Sequence, residues 1–243
     1  MTAYTGGKFY QGKKYAEVIT EESMYIAEEE EWTIKGYCEP FCGMLGVYKH
    51  IPELFKEKLD YKLKYKAGDI NKSVILMWKA AQKGWKPSSK LTTKKQFLDM
   101  QGDGKSSARK GFVGHAYAYM GKYFKPFRKR TARSLKRDIN RISSIAKKLN
   151  NVSFKYGLYT QYSNLKDYVI YCDPPYQKQA QYYDENNKMR YFNHEEFWDW
   201  CRIMAENNIV FVSEYKAPKD FERIYTNNVR TSGKTKKECI YLV

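Results

Sequence analysis

Histidine is nearly missing from this chain: His50, His115 and His194 are its three, and they lie far apart. A histidine metal cluster or a Ser-His-Asp triad therefore has little to build on, and no metal is expected. The five cysteines are odd in number and show no repeated Cys-x-x-Cys spacing. That usage argues against a disulfide framework and a zinc site, and fits a reducing, cytosol-like compartment. No apolar stretch approaches the roughly 18 residues of a membrane span, and Met1-Thr2-Ala3-Tyr4 leads straight into polar, glycine-rich sequence. A soluble intracellular protein with no membrane partner is expected. Acidic residues are short as well, 27 Asp+Glu against 44 Lys+Arg, for a net charge of +17. The imbalance favours a polyanionic partner, nucleic acid first, over an acidic small molecule. Internal repeats and low-complexity tracts are absent too.

What is present alternates. Residues 15–30 read as helix ending in an acidic run, 36–41 as a short apolar strand, 47–58 as helix and 61–66 as a half-buried strand by its period of two. Helix resumes over 74–83. Periodicity then fails from Gly84 to Pro126, and Leu135, Ile139, Ile142, Ala146 and Leu149 mark one face of a helix over about 131–149. Strands follow at 152–154, 168–171 and 209–213, with a helix opening at Asn193, where Glu196 suggests a capping box. The pattern predicts an α/β sheet interrupted by a basic lobe. The catalytic core is expected at 1–83 and 151–243, and the lobe at 84–150.

The strand at 168–171 runs into Asp173-Pro174-Pro175-Tyr176. Two prolines lack N–H groups and fix their own φ, so they end the strand and hold the loop that follows. Such a loop suits chemistry at a planar amine. The lone pair of an exocyclic amine is delocalised into its ring, and acceptors on its hydrogens, here the Asp173 carboxylate and the Pro174 carbonyl, help localise it. Tyr176 offers a ring on which a base can stack. Upstream, Glu39-Pro40-Phe41-Cys42-Gly43 and Gly46 sit where a first strand meets a helix, the position at which doubly wound folds bind nucleotides. Asp69 follows about 20 residues later at a neighbouring strand end, placed either for ribose hydroxyls or as a helix cap shared with Asn71.

Taken in order, Tyr4-Thr5-Gly6-Gly7-Lys8, Glu39-Pro40-Phe41-Cys42-Gly43, Gly68-Asp69-Ile70-Asn71 and Asp173-Pro174-Pro175-Tyr176 resemble the Dam-type, D12 class DNA adenine-N6 methyltransferases. The resemblance runs from Tyr4 to about Tyr225. It implies a Rossmann-like core that uses S-adenosylmethionine, with a mainly helical target-recognition lobe inserted between Asp69 and Asp173. It implies a cofactor site formed by Tyr4, Gly7, Lys8, Glu39, Phe41, Cys42, Gly43, Asp69, Ile70, Tyr156 and Asp173. Asp173, Pro174, Pro175 and Tyr176 would form the catalytic loop, and double-stranded DNA would be the substrate. Two departures stand out. Met44-Leu45 separate Gly43 from Gly46, and Tyr156-Gly157-Leu158 replace an acidic residue common in relatives, so a contact to the cofactor adenine there would be main-chain.

Within the lobe, aromatics interleave with basic residues. Lys110, Tyr117, Tyr119, Lys122, Arg128, Lys129, Arg130 and Arg133 are the candidate DNA contacts, since cations hold phosphates while aromatic rings stack or wedge. His115 and His194 read as structural, and Glu214 as either a buried structural carboxylate or part of the site. Rival readings keep the chemistry on another amino group (RNA adenine, cytosine N4, a glutamine amide) or keep the fold as a silent DNA-binding module.

Overall fold

A computed structural model gives the architecture; it describes residues 8, 10–177, 181–183, 189–231 and 234–243, with backbone alone at 181–183, 189, 190, 229–231 and 234. Tyr4 and Gly7 lie outside the described residues. In chain order the elements are α1 (Gly12–Glu29), β1 (Gly36–Glu39), α2 (Ile51–Lys58), β2 (Lys64–Asp69) and α3 (Lys72–Gln82). The lobe follows with α4 (Lys94–Gly102), α5 (Ala108–Ala116) and α6 (Ala132–Ala146). The chain then returns through β3 (Val152–Tyr156), β4 (Tyr168–Cys172), the short pair β5 (Gln181–Tyr183) and β6 (Met189–Tyr191), α7 (His194–Ala205), β7 (Ile209–Glu214), β8 (Glu222–Thr231) and β9 (Lys234–Leu242).

Among the described residues seven strands form one sheet in the order β3-β2-β1-β4-β7-β9-β8. The first five are parallel, and β9 turns antiparallel against β7. The order reverses between β1 and β4, which opens the crevice where a Rossmann-like fold holds its ligand. Alternation along the strands fills both faces. Val169, Tyr171, Ile209 and Phe211 join a core with α1, α2 and α3, while Ile170, Cys172, Val210 and Val212 pack on Phe197, Trp198 and Cys201 of α7.

Local signals account for most boundaries. Asn71 caps α3 by accepting from the Val74 N–H, and Thr93 with Gln96 forms a reciprocal capping box on α4. Asn193 caps α7 through the N–H groups of Glu195 and Glu196. Two expectations shift. The strand read at 61–66 lies at Lys64–Asp69, with Tyr61 41% exposed outside it, and the stretch read as irregular holds α4 and α5. Helix periodicity was hidden there because α5 carries glycines where it meets α3. A Cβ on Gly111 would stand 2.2 Å from the Ser73 carbonyl oxygen, so the two helices approach closer than any side chain allows. Phe97, Phe112, Phe124, Leu135 and Ile142 consequently belong to the same core as the sheet.

Candidate active site

The site forms where β1, β2 and β4 end. All five residues of β4 are buried, and Asp173 is the first residue past them. Two side chains hold the loop that follows. His194, opening α7, places Nε2 2.8 Å from the Pro175 carbonyl, to which it donates. Glu214, fully buried at the end of β7, accepts the Gln177 N–H on one carboxylate oxygen and the Tyr215 N–H on the other. Burial raises the pKa of Glu214, and those two N–H groups oppose the rise. Glu214 is therefore a clamp on the loop.

Lys8 reaches this loop from the N-terminal segment. Its Nζ lies 2.6 Å from Asp173 Oδ1 and 2.8 Å from Glu238 Oε1, and it donates to the Tyr176 hydroxyl at 2.7 Å. The Tyr176 hydroxyl in turn donates to Glu238 Oε1 at 2.7 Å, and its ring packs edge-to-face on Tyr215. Burial pulls the Lys8 ammonium down, but the Asp173 and Glu238 carboxylates outweigh that and leave its pKa raised. Burial, then the neighbouring Glu238 charge, pushes Asp173 up, with Lys8 opposing. Lys8 is seated by a glycine. A Cβ on Gly46 would lie 3.0 Å from the Lys8 backbone nitrogen, so Gly46 admits the N-terminal segment where the sequence suggested room for a ligand.

The turn after β1 is bonded to the end of β2. Cys42 N–H donates to the Gly68 carbonyl at 2.7 Å, and Gly43, at φ +44°, donates to Asp69 Oδ2 at 2.9 Å. Asp69 Oδ1 accepts the Asn71 N–H at 2.7 Å. Asp69 thus joins the two strand ends, while Asn71 supplies the helix cap. Glu39 is buried at the end of β1, where Tyr37 donates to it at 2.8 Å. Burial lifts its carboxyl to about 8, against the Tyr37 bond. Ile70 is half-buried beside Asp69, and Tyr156 is exposed with Lys72 Nζ 5.7 Å from its ring centroid.

Several features of this rim fit S-adenosylmethionine. Phe41 stacks on Tyr159 at 5.5 Å, an aromatic wall suited to a purine face. Gly157 donates its N–H to the Asp69 carbonyl and adjoins Gln161, whose amide nitrogen and oxygen are both buried and have no hydrogen-bond partner among the described residues. An amide offers a donor and an acceptor together, the pairing that an adenine edge satisfies. The Asp173 carboxylate suits a cationic ligand. Among the described residues no cluster of three or more His, Cys, Asp or Glu is placed to hold a metal ion.

The structure brings Lys8, Asp173 and Tyr176 together, and Glu39, Phe41, Cys42, Gly43 and Asp69 along one rim. Sequence reasoning missed Glu238 and Gln161. Glu238 lies where the polar half of its strand meets the apolar run Cys239 to Leu242 and carries no motif of its own, and Gln161 belongs to no motif; its unmet amide shows in three dimensions alone.

Three of the eight lobe residues expected on DNA are occupied inside the protein. Lys110 is buried with Nζ 2.8 Å from Asp103. Tyr117 is buried against Phe127, and its hydroxyl accepts the Thr92 N–H. Arg130 is buried in an ion pair with Asp138. Their charged or polar ends are used in packing within the protein, in place of the exposed surface expected for them. Tyr119, Lys122, Lys129 and Arg133 are exposed and Arg128 is half-buried, and an isolated antiparallel bridge between Ala118 and Phe127 bonds Tyr119 N–H to the Pro126 carbonyl and Arg128 N–H to the Tyr117 carbonyl. His115 is structural: buried, held to about 4 by burial, with Nδ1 2.8 Å from the Gly121 carbonyl.

A family model described as D12 class N6 adenine-specific DNA methyltransferase matches residues 109–238. Similar solved structures include the rRNA methyltransferase aviRa from Streptomyces viridochromogenes, 11% identical over 92% of this chain and 84% of that one, at a TM-score of 0.35. Magnesium protoporphyrin IX methyltransferase from Synechocystis PCC 6803 with bound SAM is another, 9% identical over 94% of this chain and 79% of that one, at a TM-score of 0.36. No curated protein matches.

Proposed function

The chain belongs to the D12 class N6 adenine-specific DNA methyltransferase family, and from that premise we propose that it transfers a methyl group from S-adenosylmethionine to N6 of adenine in double-stranded DNA. Methyl transfer is the reaction of the family. The DNA adenine is the finer reading, and the observation that carries it is the placement of Asp173. Its carboxylate stands at the end of a buried strand, followed by two prolines and clamped from outside by His194 and Glu214.

The cofactor, when bound, supplies an electrophilic methyl on a sulfonium. The chain's own part is to hold the acceptor. Asp173 and the Pro174 carbonyl accept the two hydrogens of the amine, which localises its lone pair, and the carboxylate complements the positive charge that grows on N6. No covalent enzyme intermediate is required. A duplex adenine cannot bring N6 to a half-buried carboxylate while stacked, so the base leaves the helix, and the ring of Tyr176 replaces part of the lost stacking. Exposed Lys122, Lys129 and Arg133, with Arg128 and Tyr119, are the proposed hold on the phosphate backbone.

Asp173→Ala tests this reading. Loss of an oriented acceptor in a dry site is worth about 3–4 kcal/mol, so methyl transfer to DNA at saturating substrate and cofactor should fall by roughly 10²- to 10³-fold in a folded protein. Near wild-type turnover would refute the assignment. Labelled methyl appearing in RNA, cytosine or protein but never in DNA adenine would refute the substrate.

A further inference from the structure

We propose that Glu238 is a positioning residue: it takes Lys8 over from Asp173 when the target amine arrives. The inference rests on the reading of Asp173 as the amine's acceptor. In the structure Asp173 Oδ1 already carries the Lys8 ammonium at 2.6 Å. An amine N–H brought to that oxygen shares its lone pairs with Lys8 and draws the carboxylate away from the ammonium.

Lys8 has nowhere wet to go. It is 4% exposed, and a buried ammonium stripped of its carboxylates is strongly disfavoured. Glu238 solves this from β9. Its Oε1 lies 2.8 Å from the same Nζ, the Tyr176 hydroxyl lies 2.7 Å from that Nζ, and the hydroxyl donates back to Oε1 at 2.7 Å. Lys8, Tyr176 and Glu238 therefore close a triangle that does not pass through Asp173. When Asp173 turns to the amine, Lys8 keeps a full counter-ion and a hydroxyl acceptor. It stays protonated throughout, and no bond is made or broken. Two carboxylates around one ammonium also leave this corner with a surplus negative charge, which suits the cationic centre of a methyl donor. The hydroxyl of Tyr176 remains held to Glu238 during the exchange, so its ring stays in place.

Without the Glu238 charge, Lys8 should close on Asp173 and stay there. The test compares two cofactor analogues in the full chain: sinefungin, which carries an amine where the methylsulfonium would be, and S-adenosylhomocysteine, which does not. Calorimetry on wild type, Glu238→Gln, Lys8→Gln and the double variant reads the preference for sinefungin over S-adenosylhomocysteine. Glu238→Gln should lower that preference about tenfold while leaving S-adenosylhomocysteine affinity within about threefold. In the Lys8→Gln background the same change should have little effect, because Glu238 acts through Lys8. Glu238→Asp, which keeps the charge, should recover most of the preference and stands in if Glu238→Gln does not fold. Steady-state methylation should show the parallel split, with kcat lowered and KM for DNA nearly unchanged. An unchanged preference in Glu238→Gln, or an equal loss with and without Lys8, overturns the inference. If wild type methylates no DNA adenine but the preference still falls as described, the proposed substrate is wrong and the role of Glu238 stands.

Discussion

Replacing Glu39 by glutamine should stabilise the protein, and by an amount that grows with pH. Glu39 is 3% exposed at the end of β1, its carboxyl holds the Tyr37 hydroxyl at 2.8 Å, and burial lifts it from an ordinary 4.5 to about 8. A group held higher in the folded state than in the unfolded one binds its proton more tightly when folded. Its contribution is therefore fully present below about pH 4.5 and is lost as pH rises toward about 8. At about 1.4 kcal/mol per unit, a shift of about 3.5 units amounts to an upper bound on the order of 5 kcal/mol, comparable with the whole stability of a small domain. Glutamine keeps the shape and an acceptor for Tyr37 but never ionises. Urea unfolding without cofactor at pH 5, 6, 7 and 8 should show Glu39→Gln close to wild type at pH 5 and pulling ahead by up to about 1.4 kcal/mol per unit toward pH 8. Glu214, raised in the same direction by burial, is common to both proteins and cancels in the difference, while Asp173, whose charge helps raise Glu39, cancels except for that mutual repulsion. A stability difference that stays flat across that range would refute the argument.

Other outcomes follow from the lobe. Arg130→Ala leaves the buried Asp138 with Arg141 at 3.8 Å as its neighbouring cation, so chemical denaturation should show a loss of about 3 kcal/mol, the lower end for a broken buried pair. Changing Lys122, Lys129 and Arg133 together to alanine should weaken DNA binding regardless of sequence and reduce the log–log salt slope by about 0.9 for each phosphate contact removed; an unchanged slope places the DNA elsewhere. Gly111→Ala drives a methyl toward the Ser73 carbonyl, and the overpacking should lower stability by about 1–3 kcal/mol, read as a fall in Tm of a few degrees.

The strand ends carrying Glu39, Asp69 and Asp173 were legible because apolar runs stop there at glycine or proline, a local and backbone-driven signal. The register of β2 was less so. Tyr61 to Lys66 alternates well, yet the paired strand begins at Lys64 and continues through Ala67 and Gly68, small residues that score poorly as strand, of which Gly68 makes room for Tyr162. The hairpin of β8 and β9 escaped for another reason. At the sheet edge it pairs through its backbone while lysine, asparagine and threonine crowd the turn end from Thr226 to Lys237, so hydrophobic alternation hardly marks that stretch, and Glu238 went with it. The basic residues of the lobe misled in part because composition cannot tell a cation paired inside from one in water. Lys110 and Arg130 read like Lys122 and Arg133, and only packing separates them.

The tight crossing of α5 on α3 has a consequence for how such proteins diverge. Because Gly111 rests on the Ser73 backbone and the Ser107 N–H donates to the Ser73 hydroxyl, the lobe is bolted to the helix that leaves Asp69. It is not a cassette on a flexible tether. Grafting a lobe from a relative onto this sheet would require trading the matching face of α3 as well, whereas Tyr119, Lys122, Lys129 and Arg133 on the rim can change one at a time without disturbing the join.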